Sequence, residues 1–151
     1  MTITITNKIF NTDKLISCIL DENSDVGAAV CFNGFVREFS NNKHLDYMFV
    51  EHYPEMTEKS LYAIEAEAKK RWEINDVSIT HRVGKIYPKD LIVSVIVASK
   101  HRNNAFQACN FIIDFLKTDA PFWKKEVFND GSFWVNDRAE DHEKKEKWSS
   151  I

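Results

Sequence analysis

The sequence predicts a single α+β domain over residues 1–151, and three observations carry the prediction. Strand-like and helix-like segments follow the order β-α-β-β-α-β-β-α-β-β, so hairpins are mixed with helices instead of winding as repeated βαβ units. Neither GxGxxG nor a P-loop occurs in the chain, which removes two common phosphate-binding frames. At 151 residues, with 44% hydrophobic and 28% charged positions, the chain has the balance of an ordinary globular protein and the length to bury one core.

Residues 2–10 alternate Ile3 and Ile5 with Thr4 and Thr6, the period-two pattern of a strand with one wet face. Thr12 is placed to cap a short helix with an inner stripe of Leu15, Ile16, Ile19 and Leu20. Residues 26–36 read as a strand in which Gly27 and Gly34 permit close backbone approach or a bulge. A loop rich in turn formers fills residues 37–43, and a second strand fills 44–53. Pro54 then opens a helix in its favoured first position. That helix, 55–72, carries Leu61, Ile64, Ala68 and Trp72 on one face and a solvated charged face that includes Glu58, Glu65, Lys69 and Lys70. Residues 77–83 alternate as a strand with His81 on the packed side, and LIVSVIVA at 91–98 reads as a strand covered on both sides. Asn129-Asp130-Gly131 marks a hairpin within 126–135. The tail from residue 136 is charged and reads as a terminal helix or a partly disordered end.

The stretch HRNNAFQACNFIIDFLKTDAPFWKK, residues 101–125, organises the rest. Ala105, Ala108, Cys109, Ile112, Phe115 and Leu116 recur at helical spacing, with Asn103 or Asn104 as N-cap. Pro121 disfavours helix at Ala120, so the helix should end near Thr118 or Asp119. His101 and Arg102 then sit at the helix start, where free N–H groups and the dipole favour an anion. Lys117 sits in the last turn. Fifteen positions separate Arg102 from Lys117, roughly 22 Å at the helical rise. One small ligand cannot touch both ends within one chain. Either the two basic spots are unrelated, or they meet across a subunit interface.

Net charge of −3 argues against non-specific nucleic-acid binding. Cys18, Cys31 and Cys109 are odd in number and lack metal-ligand spacing, so they read as reduced, mostly buried thiols of a cytoplasmic protein. No apolar run reaches membrane-spanning length and no signal-peptide core opens the chain. No metal-ligand cluster is legible, which fits the expectation that neither a metal nor an organic cofactor is needed.

A lysine is ordinarily a solvated surface group, and either Lys117 or Lys124 alone would be read that way. A lysine crowded by other cations can instead serve as nucleophile or proton carrier. Pro121, Phe122 and Trp123 form a stiff apolar bridge between the two. On a following strand Lys124 and Lys125 point to opposite faces. His101-Arg102 taken alone is a surface dipeptide; its place at a helix start adds weight to anion binding. Arg37 follows a strand and precedes a polar loop, a position equally suited to a ligand contact or a surface ion pair. From the residues alone, a basic, aromatic-lined pocket suits a phosphorylated small molecule.

In order along the chain stand GFVR at 34–37, EHYPEMTEK at 51–59, RW at 71–72, HRVG at 81–84, SKHRNNAF at 99–106, FLKTDAPFWKKE at 115–126 and WV at 134–135. Together they closely resemble the catalytic (large) subunit family of molybdopterin synthase, from about residue 26 to 148. The resemblance implies an α/β-hammerhead fold and a homodimer. Each end of the dimer would bind a small ubiquitin-like sulfur-carrier subunit, giving a heterotetramer. The carrier's C-terminal glycine thiocarboxylate would donate sulfur to cyclic pyranopterin monophosphate, with two transfers forming the dithiolene of molybdopterin. Lys117 and Lys124 match the family's catalytic pair. Phe35, Val36, Arg37, Lys125 and Glu126 match its substrate pocket, and Arg138 matches an arginine near it. His101 and Arg102 match residues that reach the pocket from the neighbouring subunit. Phe35 departs from the basic or small residue common there, so its side chain is not expected to hold phosphate. Asp119 is an acid near the cationic site, placed either to pair with Lys117 or to face solvent.

Two other classes stand beside this reading. A non-catalytic module would bind a ubiquitin-like partner without turnover; the presence of both lysines, Arg37 and His101-Arg102 weighs against it. A single-stranded nucleic-acid binder would stack bases on Phe122 and Trp123; the acidic net charge weighs against that.

Overall fold

The chain is described from a computed structural model that places residues 2–135 and 139–149. Its elements run β1 (Thr2–Thr6), α1 (Thr12–Glu22), β2 (Ala28–Phe35), β3 (Phe39–Ser40), β4 (Lys43–His44), β5 (Tyr47–His52) and α2 (Met56–Arg71). They continue β6 (Asp76–Arg82), β7 (Gly84–Ile86), β8 (Leu91–Ser99), α3 (Arg102–Thr118), β9 (Phe122–Phe128), β10 (Gly131–Trp134) and α4 (Ala139–Glu146). The architecture is α+β, as the element order predicts.

One four-stranded sheet has the order β1-β6-β8-β2, parallel only between β1 and β6. Its central strands β6 and β8 are buried, and β8 is covered on both faces for a reason visible in its parity. Val93, Val95 and Val97 of β8 pack with Val77 and Ile79 of β6 beneath α2 and α3, while Ile96 and Ala98 meet Ile19 of α1 on the reverse. Alternate side chains of one strand thus feed two cores. The second sheet, β10-β9-β5-β7, is antiparallel throughout. Val50 and Ile86 of this sheet share a smaller cluster with Val36, Leu45, Ile92 and Phe128.

Both glycines of the third predicted segment have steric reasons. A Cβ on Gly27 would run into the Lys100 carbonyl oxygen, and one on Gly34 would lie 2.9 Å from a Val93 methyl. The β2–β8 register shifts between Gly34 and Phe35, the bulge that the sequence pattern allows. The turn-rich segment folds into the small β3–β4 hairpin, with Asn41 and Asn42 both at positive φ. Asparagine tolerates that region, and the geometry suits a two-residue hairpin turn.

Several local expectations are corrected. Asn11, not Thr12, caps α1, accepting from the Asp13 and Lys14 N–H groups at 2.8 and 3.3 Å. Leu20 is exposed and lies off the inner stripe, and of the thiols expected to be mostly buried Cys18 and Cys31 are exposed and Cys109 is buried. Pro54 precedes α2 in a turn, and Glu55 takes the N-cap position at φ 67°. Glu65, expected on the solvated face, is buried and paired with Lys69 at 2.9 Å.

His101 occupies the N-cap of α3 without a side-chain cap bond, and Asn104 instead donates to the Glu73 carbonyl. A missing cap costs about 1 kcal/mol. Phe111 and Ile112, both fully buried, each contribute roughly 1.5–3 kcal/mol through burial. Packing, not capping, holds this helix. The charged tail does form α4, and Trp148 beyond it is anchored: its indole N–H donates to Asp114 Oδ2 at 2.8 Å and its carbonyl accepts from Arg71.

Candidate functional site

The site is assembled where α3 stops. Lys117 lies in its last turn and Asp119 is the C-cap; β9 begins at Phe122, immediately after Pro121. The break is held in place from α2, where the buried Thr57 hydroxyl donates to the Pro121 carbonyl at 3.1 Å and accepts from the Tyr53 N–H. From there the strand's two-residue period decides which side chains face inward. Phe122, Lys124 and Glu126 line a cavity of about 370 Å³, and Trp123 and Lys125 alternate to the other face. The sequence expectation that only one of the adjacent lysines faces the site agrees with this placement.

Phe32, Val93, Val95, Ile113 and Leu116 supply the apolar wall, and Arg37, Lys117, Lys124, Glu126 and Asp141 supply the charges. Three cations face two acids, so the cavity carries a net positive charge among the described residues. Lys117 Nζ lies 3.9 Å from Asp141 Oδ1 on α4. Asp119, for which the sequence leaves open a pair with Lys117 or a place facing solvent, pairs with Lys145 at 2.6 Å on the partly exposed surface.

His81 also lines the cavity. It is 0% exposed, stacked on Phe122 with ring centroids 3.8 Å apart and planes 13° from parallel. Nδ1 lies 2.7 Å from the Arg82 carbonyl oxygen. A carbonyl can only accept, so Nδ1 carries the proton and Nε2 keeps a lone pair. Burial, followed by the Lys124 charge, pushes the imidazole down to about 3, so the ring is neutral near neutral pH.

The other sequence-derived positions separate. Phe35 and Arg37 line the cavity. Val36 does not: its side chain is buried in the smaller core, and its N–H and carbonyl are engaged with Asp90 and Lys89. Lys125 stands over the Trp134 ring at 5.4 Å. His101 and Arg102 are exposed at the opposite end of α3, away from the cavity, as the helix length requires. Arg138 lies outside the described residues. Sequence reasoning did not find Asp141 or the cavity role of His81. The strand phase of His81 marked it as inward-facing, but nothing local marks which cavity an inward residue meets. Among the described residues, no group of three or more His, Cys, Asp or Glu side chains is arranged to hold a metal ion.

An α+β fold with a cationic cavity and an apolar wall is suited to a small anion attached to an apolar or heterocyclic body. The family model described as "MoaE protein" matches residues 5–119. A molybdopterin synthase catalytic subunit from Pseudomonas aeruginosa is 43% identical over 148 residues, covering 98% of this chain and 99% of that protein. One from Haemophilus influenzae is 49% identical over 129 residues, covering 85% of this chain and 86% of that protein. The solved structure of a molybdopterin biosynthesis MoaE protein from Burkholderia ambifaria superposes with a TM-score of 0.84 at 44% identity, over 98% of this chain and 97% of that one. The chain belongs to the MoaE family.

Proposed function

We propose that the chain is the catalytic subunit of a molybdopterin synthase. It transfers sulfur from the C-terminal thiocarboxylate of a small ubiquitin-like carrier to cyclic pyranopterin monophosphate. Each carrier returns as a carboxylate, its sulfur exchanged for oxygen, and two transfers make the dithiolene. The observation that carries this reading is the convergence of Lys117 and Lys124 on one cavity, despite the proline break between them.

Carrier terminus and substrate are both anionic, so a cationic cavity concentrates and orients them. Lys117, at the helix end, contacts the carrier's terminal carbonyl and the reacting carbon. Lys124, deeper on β9, stabilises charge that develops as sulfur is transferred, or moves the proton. Arg37 and Glu126 bind substrate beside them. Phe32, Ile113 and Phe122 form the apolar groove for the glycine-ended tail, a role supported by their shared place on the cavity wall. His101 and Arg102 complete the anion site from a second copy, since the length of α3 keeps them from their own chain's cavity. The assembly is a homodimer with a carrier at each end, a heterotetramer. No helix among the described residues is long and apolar enough to cross a membrane. The free thiols Cys18, Cys31 and Cys109 support a reducing, cytoplasmic setting.

The test is reconstitution. Thiocarboxylated carrier, cyclic pyranopterin monophosphate and this chain are mixed, and dithiolene formation is assayed. Tight carrier binding without dithiolene would establish the non-catalytic module in its place.

A further inference from the structure

His81 presents a physical problem that packing alone does not solve. Its Nε2 is buried and without a hydrogen-bond partner among the described residues. Leaving a buried acceptor unmet costs about 1–3 kcal/mol. A phenylalanine would stack on Phe122 equally well and carry no such cost. Other buried polar atoms also lack partners, among them Ser78 Oγ, Thr80 Oγ1 and Arg82 Nε, but of these residues only His81 lines the cavity.

The neighbouring donor is on β9. Phe122, against which the ring is stacked, and Lys124 project to the same side, two residues or roughly 7 Å apart along the strand. A lysine stem spans that distance. The Lys124 charge already acts on the imidazole, in the direction that keeps it unprotonated and therefore able to accept.

We propose that His81 is a positioning residue for Lys124: its Nε2 lone pair accepts a hydrogen bond from the Lys124 ammonium when the cavity is filled. The stack on Phe122 and the Nδ1–H bond to the Arg82 carbonyl fix the ring and its tautomer, so the acceptor is preorganised. One ammonium proton is then held by the wall. An acceptor that binds the charged form of lysine more strongly than the neutral amine also raises its pKa. Among the described residues, the other charged groups lining the cavity are Arg37, Lys117, Glu126 and Asp141, with His52 acting on His81 from β5. Arg37 and Lys117 oppose protonation of Lys124, and the two acids favour it. A neutral acceptor adds to the two acids in keeping Lys124 charged beside Arg37 and Lys117. This role rests on the sulfur-transfer reading only for its consequence in turnover.

The test compares wild type, His81→Phe and His81→Gln, each alone and loaded with carrier ending in its ordinary carboxylate. Lysine ε-carbons are labelled, and the Lys124 signal is assigned by its loss in Lys124→Arg and titrated by NMR. In the loaded complex His81→Phe should lower the Lys124 pKa by about one pH unit, a tenfold change in proton affinity. His81→Gln, whose amide oxygen restores an acceptor, should recover most of it. The alkaline limb of the single-turnover rate should move down by the same amount in His81→Phe, which a packing role alone would not produce. An unchanged Lys124 titration in a folded His81→Phe complex overturns the assignment. Should that variant fail to fold, the wild type still decides through the ¹⁵N signal of Nε2. An upfield movement on carrier loading supports the bond, and a static signal overturns it. If wild type makes no dithiolene, the proposed reaction fails while the titration still judges the His81–Lys124 contact.

Discussion

Lys117 Nζ and Asp141 Oδ1 stand 3.9 Å apart across the gap between α3 and α4, with the lysine side chain 46% exposed. An ion pair that long and that wet contributes well under 1 kcal/mol. Lys117 is therefore not committed to the fold. An arriving carboxylate or thiocarboxylate competes with Asp141 on nearly equal terms, which is the condition a ligand-binding lysine needs.

Lys117→Ala should accordingly leave the melting temperature nearly unchanged, within about 0.5 kcal/mol of wild-type stability, and remove nearly all sulfur transfer. Lys124→Ala should lower turnover more than substrate affinity, because charge stabilisation is made in the transition state. Single-turnover assays beside melting curves check both. A Lys117→Ala protein with near wild-type turnover would falsify the assignment of that residue.

Arg102→Ala should raise KM more than it lowers kcat, since it removes anion contacts made in ground and transition states alike. Complementation then reads the geometry. Arg102→Ala and Lys117→Ala subunits, mixed under conditions that exchange subunits and assayed below saturation, should regain activity, because a mixed dimer holds one site with both groups intact. If the two groups serve one chain, mixing restores nothing beyond the sum of the parents.

The main elements were legible where one physical signal dominated. The β9–β10 turn at Asn129-Asp130, the Pro121 break and the doubly covered β8 each follow from local chemistry. Boundaries at α1 and α3 were not, because several cap-competent residues stand together: Asn11 beside Thr12, and His101 close to Asn103 and Asn104. Side chains between β2 and β5 gave no period because the segment folds as a two-residue-strand hairpin. Of the site, the opposite faces of Lys124 and Lys125 followed from strand period, and the remoteness of His101-Arg102 from helix rise. Asp141 was hidden: it comes from α4, and its approach to Lys117 depends on tertiary packing.

That packing is anchored by Trp148. The residue is only 4% exposed, edge-on to Trp72 and Phe111, and its N–H is the buried donor to Asp114. Trp148→Ala should cost about 3–5 kcal/mol, and Trp148→Phe less, with the loss of the Asp114 bond remaining. Urea denaturation of the two variants measures it. Equal, small losses would place the tail outside the cooperative unit.

His81 gives the chain an acid-sensitive stability whose sign is fixed. An unfolded histidine has a pKa of 6.5, and in the fold burial and the Lys124 charge bring it to about 3. Above 6.5 the ring is neutral in both states and contributes no pH dependence. Between 6.5 and 3 the unfolded chain binds a proton that the folded chain refuses, so stability falls with pH by about 1.4 kcal/mol per pH unit. His81→Phe has no proton to take up in either state. Urea denaturation from pH 7 to pH 4.5 should therefore show the variant gaining on wild type by about 2–3 kcal/mol across that span, whatever their difference at pH 7. A constant gap would mean that the folded ring accepts a proton near its ordinary pKa, and the imidazole would then be a cation beside Lys124, unable to accept from it.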